Sequence, residues 1–102
     1  MPLTYRIAKR AQTDLTDIMD YTFERWGLQQ VALYQRDMVA RMEAFCDYPH
    51  LGRARDDLAA GVRSLLSGQH SLFYRIDPNE IVILAVMHQS ADLSDVSWDT
   101  LT

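Results

Sequence analysis

Apolar and polar positions alternate at the start of the chain and then recur with a helical period. From Leu3 to Ala8, Tyr5 and Ile7 share a face with Leu3, and this two-residue period is typical of a β-strand. Two segments with steps of three and four residues follow, as expected for amphipathic helices. Their core-facing positions are Leu15, Ile18, Met19, Thr22 and Trp26 in the first segment, and Val31, Tyr34, Met38, Met42 and Phe45 in the second. The pattern therefore predicts one strand and then two helices.

Gly27 and Pro49 predict where these helices end. Glycine accepts the left-handed conformation that closes a helix. Proline lacks the backbone donor and restricts the residue before it. Because the connection at Gly27 is short, the two helices are expected to form an antiparallel hairpin.

Three short apolar segments occupy most of the remaining chain, and turn residues separate them. The segments are Val62–Ser67, His70–Ile76 and Ile81–His88. Ser67-Gly68-Gln69 and Asp77-Pro78-Asn79-Glu80 fit tight turns, which predicts a three-stranded antiparallel meander. We expect an α+β fold with an N-terminal strand, an antiparallel helical hairpin, the meander and a short C-terminal tail, all within one domain over residues 1–102.

The predicted meander is apolar on both faces. One face carries Leu65, Leu72, Tyr74 and Ile83, and the other carries Leu66, Phe73, Val82 and Leu84. One helical hairpin covers only one face of a sheet. The second face therefore predicts a groove for a partner segment that folds on binding.

Composition and charge narrow the possible functions. The chain is 48% hydrophobic with a formal net charge of -4, which indicates a folded protein and argues against a general nucleic-acid binder. The sequence shows neither an apolar stretch near 18 residues nor a charged leader, so we expect a cytoplasmic protein without membrane contact. The single cysteine, Cys46, permits no internal disulfide and is predicted to be a core thiol.

The positive charge is concentrated in the middle of the chain. Residues 53–76 carry four Arg against two Asp, whereas residues 77–102 carry five acids and no base. Asp56 or Asp57 is expected to cap a short helical turn that ends at Gly61. Arg53 and Arg55 could pair with those acids or with helix carbonyls, or they could contact an anion or a partner. For Arg63 and Arg75, interface contacts and internal ion pairs remain equally open.

Four stretches of the chain, in this order and spacing, resemble one protein family. They read "DLTDIMDYTFERWG", "YPHLGRARDDLAAGVRS", "HSLFYRI" and "IVILAVMHQSADL", and they are similar to the ParE branch of the ParE/RelE toxin superfamily. The resemblance implies a small α+β fold, neutralisation by a ParD-like antitoxin, and poisoning of DNA gyrase. RelE-branch relatives instead cut messenger RNA on the ribosome, which is the alternative function.

Metal-free RNA cleavage would need a base, an acid and cations around the phosphate. The candidates are His50, His70 and His88 with Arg53, Arg55, Arg63 and Arg75. The predicted register places Arg63 and His70 on one face but about 13 Å apart, and Arg75 and His88 on one face about 20 Å apart, at roughly 3.3 Å per residue. Neither pair forms one active site, and the spacing of ligand residues indicates no zinc site or Gly-rich phosphate loop. We therefore predict no catalytic residue, no metal and no cofactor.

Contacts with partners are predicted at six positions: Arg53, Arg55, Arg63, Arg75, His88 and Trp98. His88 could instead be a half-buried histidine with its hydrogen bonds satisfied. Trp98, in an acidic tail, either docks on its own domain or waits for another protein. The aromatic residues Tyr21, Trp26, Tyr34, Phe45 and Phe73 are predicted to be mostly core. Truncation before Ala91 is expected to reduce toxicity while leaving the fold largely intact.

Overall fold

The computed structural model describes residues 3–102 and has the α+β architecture that the sequence predicts. Its elements are β1 (Thr4–Ile7), α1 (Lys9–Trp26), α2 (Leu28–Asp47), β2 (Arg53–Ala54), β3 (Val62–Ser67), β4 (His70–Ile76), β5 (Glu80–His88) and a 3-10 turn (Trp98–Thr100). Gly27 alone separates the two helices and has the expected positive φ, 85°. Within the described residues, no helix is long and apolar enough to cross a membrane.

All five strands form one sheet in the order β1-β5-β4-β3-β2. The meander β3-β4-β5 is antiparallel as predicted, and β1 joins it at one edge in parallel with β5. The two-residue strand β2 at the other edge was not predicted. The predicted helical turn over residues 56–61 is a series of turns instead, in which the Gly61 N–H donates to the Asp56 carboxylate.

A bulge in β5 shifts the pairing of the last two strands. Arg75 lies opposite Val82 as predicted, but Phe73 pairs with Ala85 while Tyr74 pairs with Ile83, so Leu84 is the extra residue. One extra residue reverses the alternation of faces beyond it. The prediction that Arg75 and His88 share a face is therefore wrong, because His88 lies on the helix side and Arg75 on the opposite side.

The helices cover one face of the sheet and enclose the larger core. Its fully buried members include Phe45 and Tyr74, whose rings stack with centroids 3.9 Å apart. The predicted burial of Tyr21 and Trp26 is wrong, because both side chains are exposed. Thr22 is the last buried residue of α1, and the apolar stripe of the helix continues beyond it, where Trp26 lies on the surface.

The second face is covered in part by the chain itself. Residues 91–102 cross this face, and Trp98, only 6% exposed, packs with its ring centroid 4.7 Å from that of Phe73. Val96 and Leu101 pack against the same cluster of buried residues, which includes Val82 and Leu84. Trp98 therefore docks on its own domain, which is one of the two alternatives that the sequence left open.

Candidate functional site

The tail leaves one end of the second face uncovered, and a cleft of about 590 Å³ opens there. We call it the arginine cleft, and the lining residues that matter most are Leu51, Arg53, Arg55, Leu66, Phe73 and His88. Three of the six residues predicted to contact partners, Arg53, Arg55 and His88, line this surface. The arginines lie on the cleft side of the sheet, whereas His88 is at the end of β5 with its side chain on the helix side. The cleft is both cationic and apolar, which suits an acidic segment with hydrophobic anchors.

The two arginines of the cleft differ in whether they are free to bind a partner. Arg55 donates from Nε and Nη2 to the two carboxylate oxygens of Asp57, each at 3.0 Å, and these bonds lower the pKa of Asp57. Its guanidinium also lies 5.9 Å from the centroid of the Phe73 ring. Arg53, in contrast, makes no side-chain hydrogen bond or ion pair with any of residues 3–102. The predicted pairing with Asp56 or Asp57 is confirmed for Arg55 alone, so Arg53 is the cation left free for a partner.

The loop before β2, which brings Leu51 and Arg53 to the cleft, is fixed by two side chains of the sheet. The Tyr74 hydroxyl donates to the Pro49 carbonyl at 2.7 Å and accepts the Gly52 N–H at 2.8 Å. Arg63 donates from Nε to the Gly52 carbonyl at 2.8 Å. The Arg63 guanidinium is therefore engaged with the backbone of this loop. Arg63 does not line the cleft itself, but it holds the loop that does.

Arg75 and Trp98 also have partners within the chain. Arg75 donates from Nε and Nη2 to the carboxylate of Asp77, and from Nη1 to the Leu101 carbonyl at 3.0 Å. Asp77 holds the turn between β4 and β5, so Arg75 ties the tail to that turn. Of the two roles that the sequence left open for Arg75, the structure shows the internal ion pair.

A polar cluster that the sequence did not predict joins β4, β5 and α2. His70 pairs directly with His88 across the strands, and their ring centroids are 5.5 Å apart in an edge-to-face arrangement. The Tyr34 hydroxyl hydrogen-bonds to His70 Nδ1, while His88 Nδ1 accepts the Ser90 N–H at 3.1 Å. Without the bulge His70 would lie opposite Met87, which is why regular strand pairing did not bring the two histidines together.

This cluster should make stability depend on pH. Burial, and then the neighbouring His88, lower the pKa of His70 from an ordinary value of about 6.5. Between that value and the lower pKa in the folded state, the unfolded chain binds more protons than the native protein. The free energy of unfolding should therefore fall as the pH drops below about 6.5 and level off beneath the folded pKa. Urea unfolding at several pH values between 7.5 and 5 measures this slope.

Two histidine variants identify the group responsible. His70→Gln should flatten the slope in that pH range, whereas His50→Gln, at a histidine outside the cluster, should preserve it. Carboxylates with lowered pKa values, such as those of Asp57 and Asp77, take up protons only at more acidic pH. They therefore do not contribute to the slope in this pH range. An equal slope in wild type and His70→Gln would contradict the assignment.

Comparison with known proteins finds matches to one protein family. Residues 5–93 match the family described as ParE toxin of type II toxin-antitoxin system, parDE. A Toxin ParE1 of Caulobacter vibrioides is 41% identical over 86 residues, which cover 84% of this chain and 88% of that protein. A Toxin ParE1 of Mycobacterium tuberculosis is 35% identical over 94 residues, covering 91% of this chain and 96% of the relative.

Solved structures share the fold. A chain of the chromosomal ParDE TA system from P. aeruginosa superposes with a TM-score of 0.72 at 23% identity, over 84% of this chain and 95% of that one. A chain of the toxin-antitoxin complex RelBE2 from Mycobacterium tuberculosis gives a TM-score of 0.59 at 28% identity, covering 87% of this chain and all of that one (100%). Both chains come from toxin-antitoxin systems, and the RelBE2 structure is that of a complex.

Proposed function

This chain belongs to the ParE toxin family of type II toxin-antitoxin systems, and we propose that it binds DNA gyrase in the cytoplasm and is neutralised by a ParD-like antitoxin. The family match over residues 5–93 carries the proposal. The fold shared with chains of ParDE and RelBE2 systems supports the antitoxin as partner. Residues 1–102 act as one domain in this proposal.

The arginine cleft is the proposed binding site for the antitoxin. Arg53 is unpaired within the described residues, and Leu51 and Leu66 are each about half exposed to solvent. An acidic segment with apolar side chains would satisfy both features, and it would cover the part of the second face that the tail leaves open. Such segments commonly fold as they bind, with apolar anchors in a groove.

Charge reversal at Arg53 tests this binding site. Arg53→Glu should weaken antitoxin binding at least tenfold, a loss of about 1.4 kcal/mol, because a cation facing an acidic segment becomes a repulsive anion. Since Arg53 is exposed, the unfolding temperature of the free toxin should stay unchanged. Isothermal titration of the toxin with purified antitoxin measures the affinity.

Arg36→Glu provides the matched control for that variant. Arg36 is a well exposed arginine of α2 with only a 3.8 Å contact to Asp37, and it lies outside the cleft. The control should bind antitoxin as the wild type does. Equal losses in the two variants would indicate a general charge effect and would argue against the cleft.

Gyrase inhibition by stoichiometric binding is the proposed mode of toxicity. Arg55, Arg63 and Arg75 are committed to ion pairs and backbone carbonyls within the chain, so they do not form a set of free cations around a reacting phosphate. A net charge of -4 also disfavours direct affinity for DNA. We therefore propose an inhibitor that stabilises the cleaved complex of gyrase with DNA and has no catalytic residue of its own.

Supercoiling and DNA-cleavage assays with purified gyrase and increasing toxin test this function. Supercoiling should stop, and cleaved DNA should accumulate, as the toxin approaches the enzyme concentration. Unimpaired supercoiling with toxin in excess would contradict the proposal.

The His70–His88 pair favours one second candidate, cleavage of messenger RNA on the ribosome. Two imidazoles with centroids 5.5 Å apart on the helix side of the sheet could act as base and acid. One ring would take the proton of a 2'-hydroxyl, whose oxygen attacks the phosphorus, and the other would protonate the departing 5'-oxygen. Codon-specific cuts on ribosome-bound RNA that disappear in His88→Gln would replace the gyrase proposal. Intact RNA in both samples would exclude this candidate.

A further inference from the structure

A second concave surface lies on the helix side of the sheet, between the helical hairpin and the turn that joins β3 to β4. We call it the hairpin pocket, and its volume is about 400 Å³. Its principal lining residues are Tyr21, Trp26, Gln30, Tyr34, Gln69 and His70. It shares no lining residue with the arginine cleft, which opens on the opposite face.

One side of the pocket is held in place by Tyr34. The Tyr34 hydroxyl accepts the Gln69 N–H at 3.2 Å and lies 3.1 Å from the Ser67 carbonyl oxygen, in addition to its contact with His70 Nδ1. These bonds connect α2 to the turn. A pocket fixed in this way is largely formed before a partner arrives, which lowers the entropic cost of binding.

The other side of the pocket is apolar and exposed. Trp26 has 68% of its surface accessible and Tyr21 57%, and Leu28, just beyond Gly27, has 71%. Bulky apolar side chains that cluster on a surface commonly mark a site of protein interaction. Trp and Tyr are also the residues that most often dominate the binding energy of an interface.

The hairpin pocket and the arginine cleft differ in charge, so they suit different partners. The side chains that line the hairpin pocket carry no formal charge when His70 is neutral, and burial favours its neutral form. An acidic antitoxin segment finds a free cation among the residues that line the arginine cleft. No residue that lines the pocket is cationic, and the Arg25 guanidinium lies outside the lining, 5.4 Å from the centroid of the Tyr21 ring. The pocket instead fits an uncharged segment that inserts an apolar side chain between the aromatic walls.

We infer that the hairpin pocket is the surface through which this toxin binds its target, receiving an uncharged, apolar segment of gyrase. The inference rests on the proposed function and adds to it the place of contact and the chemistry of the segment. The sequence alone suggests Arg53, Arg55 and Arg63 with the tail around Trp98 as the contact with gyrase. Of these, Arg55, Arg63 and Trp98 are engaged within the chain, and the inference moves the contact to the pocket. Because the two surfaces are distinct, substitutions should separate target binding from antitoxin binding.

The test compares wild type with Tyr21→Ala/Trp26→Ala and with Gln30→Glu. The double variant removes the apolar walls, and Gln30→Glu places a carboxylate in the pocket while keeping them. Both should need at least tenfold more toxin to inhibit gyrase supercoiling and should arrest growth weakly when expressed in cells. Both should bind antitoxin with unchanged affinity. Phe23→Ala is the matched control, because Phe23 is an exposed aromatic residue of α1 that does not line the pocket.

Distinct outcomes identify which claim fails. Full gyrase inhibition and growth arrest by both pocket variants would overturn the inference and leave the proposed function standing. Loss of antitoxin affinity without loss of gyrase inhibition would assign the pocket to the antitoxin and also overturn it. An equal loss in Phe23→Ala would show that the effect is not specific to the pocket. If wild-type toxin does not inhibit gyrase, both the proposed function and the assignment of the hairpin pocket to gyrase binding are wrong.

Discussion

Removal of residues 91–102 is expected to destabilise the fold strongly, and to do more than remove a contact with a partner. The tail covers Phe73, Val82 and Leu84 on the second face of the sheet, and Trp98 is its buried anchor. Arg75 would also lose its bond to the Leu101 carbonyl. Substitution of a buried Trp by Ala alone costs about 3–5 kcal/mol. This expectation replaces the sequence-based one, in which the truncated chain kept its fold.

Urea unfolding of the truncated chain and of Trp98→Ala measures these losses. Asp95→Ala is the control within the tail, because Asp95 is exposed and its substitution removes no apolar burial. The control should unfold at the wild-type urea concentration, and the other two variants at much lower concentrations. A truncated chain with an unchanged midpoint would contradict the packing of Trp98. Loss of toxicity on truncation should therefore be interpreted only beside a measurement of folding.

The order of elements follows from periodicity and turn chemistry, but the exact pairing of β4 with β5 does not. Residues 81–87 are all apolar in the sequence, and every residue from Ile81 to Val86 is buried. In a strand that is apolar on both faces, hydrophobicity cannot show which residue bulges. The bulge alone brings His70 opposite His88, so this pair could not be predicted.

The candidate site was predictable as a region, and the role of each arginine was not. Clustered Arg residues between positions 53 and 76 are visible in the sequence. Arg55 pairs with a carboxylate two residues away, which local reasoning can foresee. Arg63 instead binds the carbonyl of Gly52, eleven residues away, and a carbonyl acceptor leaves no signal in the pattern of charges. Arg53 is identified as free only after these partners are known.

The exposed aromatic residues show a similar limit. Trp26 continues the apolar stripe of α1 one turn beyond Thr22, and the stripe alone predicts burial for both. Burial depends on where the neighbouring elements end, which the helical period does not report. A long apolar stripe at the end of a helix is thus also the signal of a possible interface.

Gly52→Ala is expected to cost about 2–4 kcal/mol, because it overpacks the core at the point that shapes the arginine cleft. A Cβ at this position would lie 2.7 Å from Tyr74 Cε1 and 2.8 Å from both the Ser64 carbonyl oxygen and the Tyr74 hydroxyl. Tyr74 is fully buried and stacks on Phe45, so it has little room to move. The loop must shift instead, and antitoxin affinity should fall because Leu51 and Arg53 shift with it.

Two further variants separate the crowding at Gly52 from other effects, with thermal unfolding and antitoxin titration as the measurements. Tyr74→Phe removes the hydroxyl bonds to Pro49 and Gly52 without adding volume, and it should cost about 1–3 kcal/mol by leaving those groups unpaired. Gly61→Ala introduces the same methyl group into open space, where φ is +84°, so it bears only backbone strain, of about 1–2 kcal/mol. Gly52→Ala should be the most destabilising of the three. If it unfolds no earlier than Gly61→Ala, then the loop before β2 is not held against Tyr74 as closely as the structure shows, and the shape of the arginine cleft must depend on other contacts.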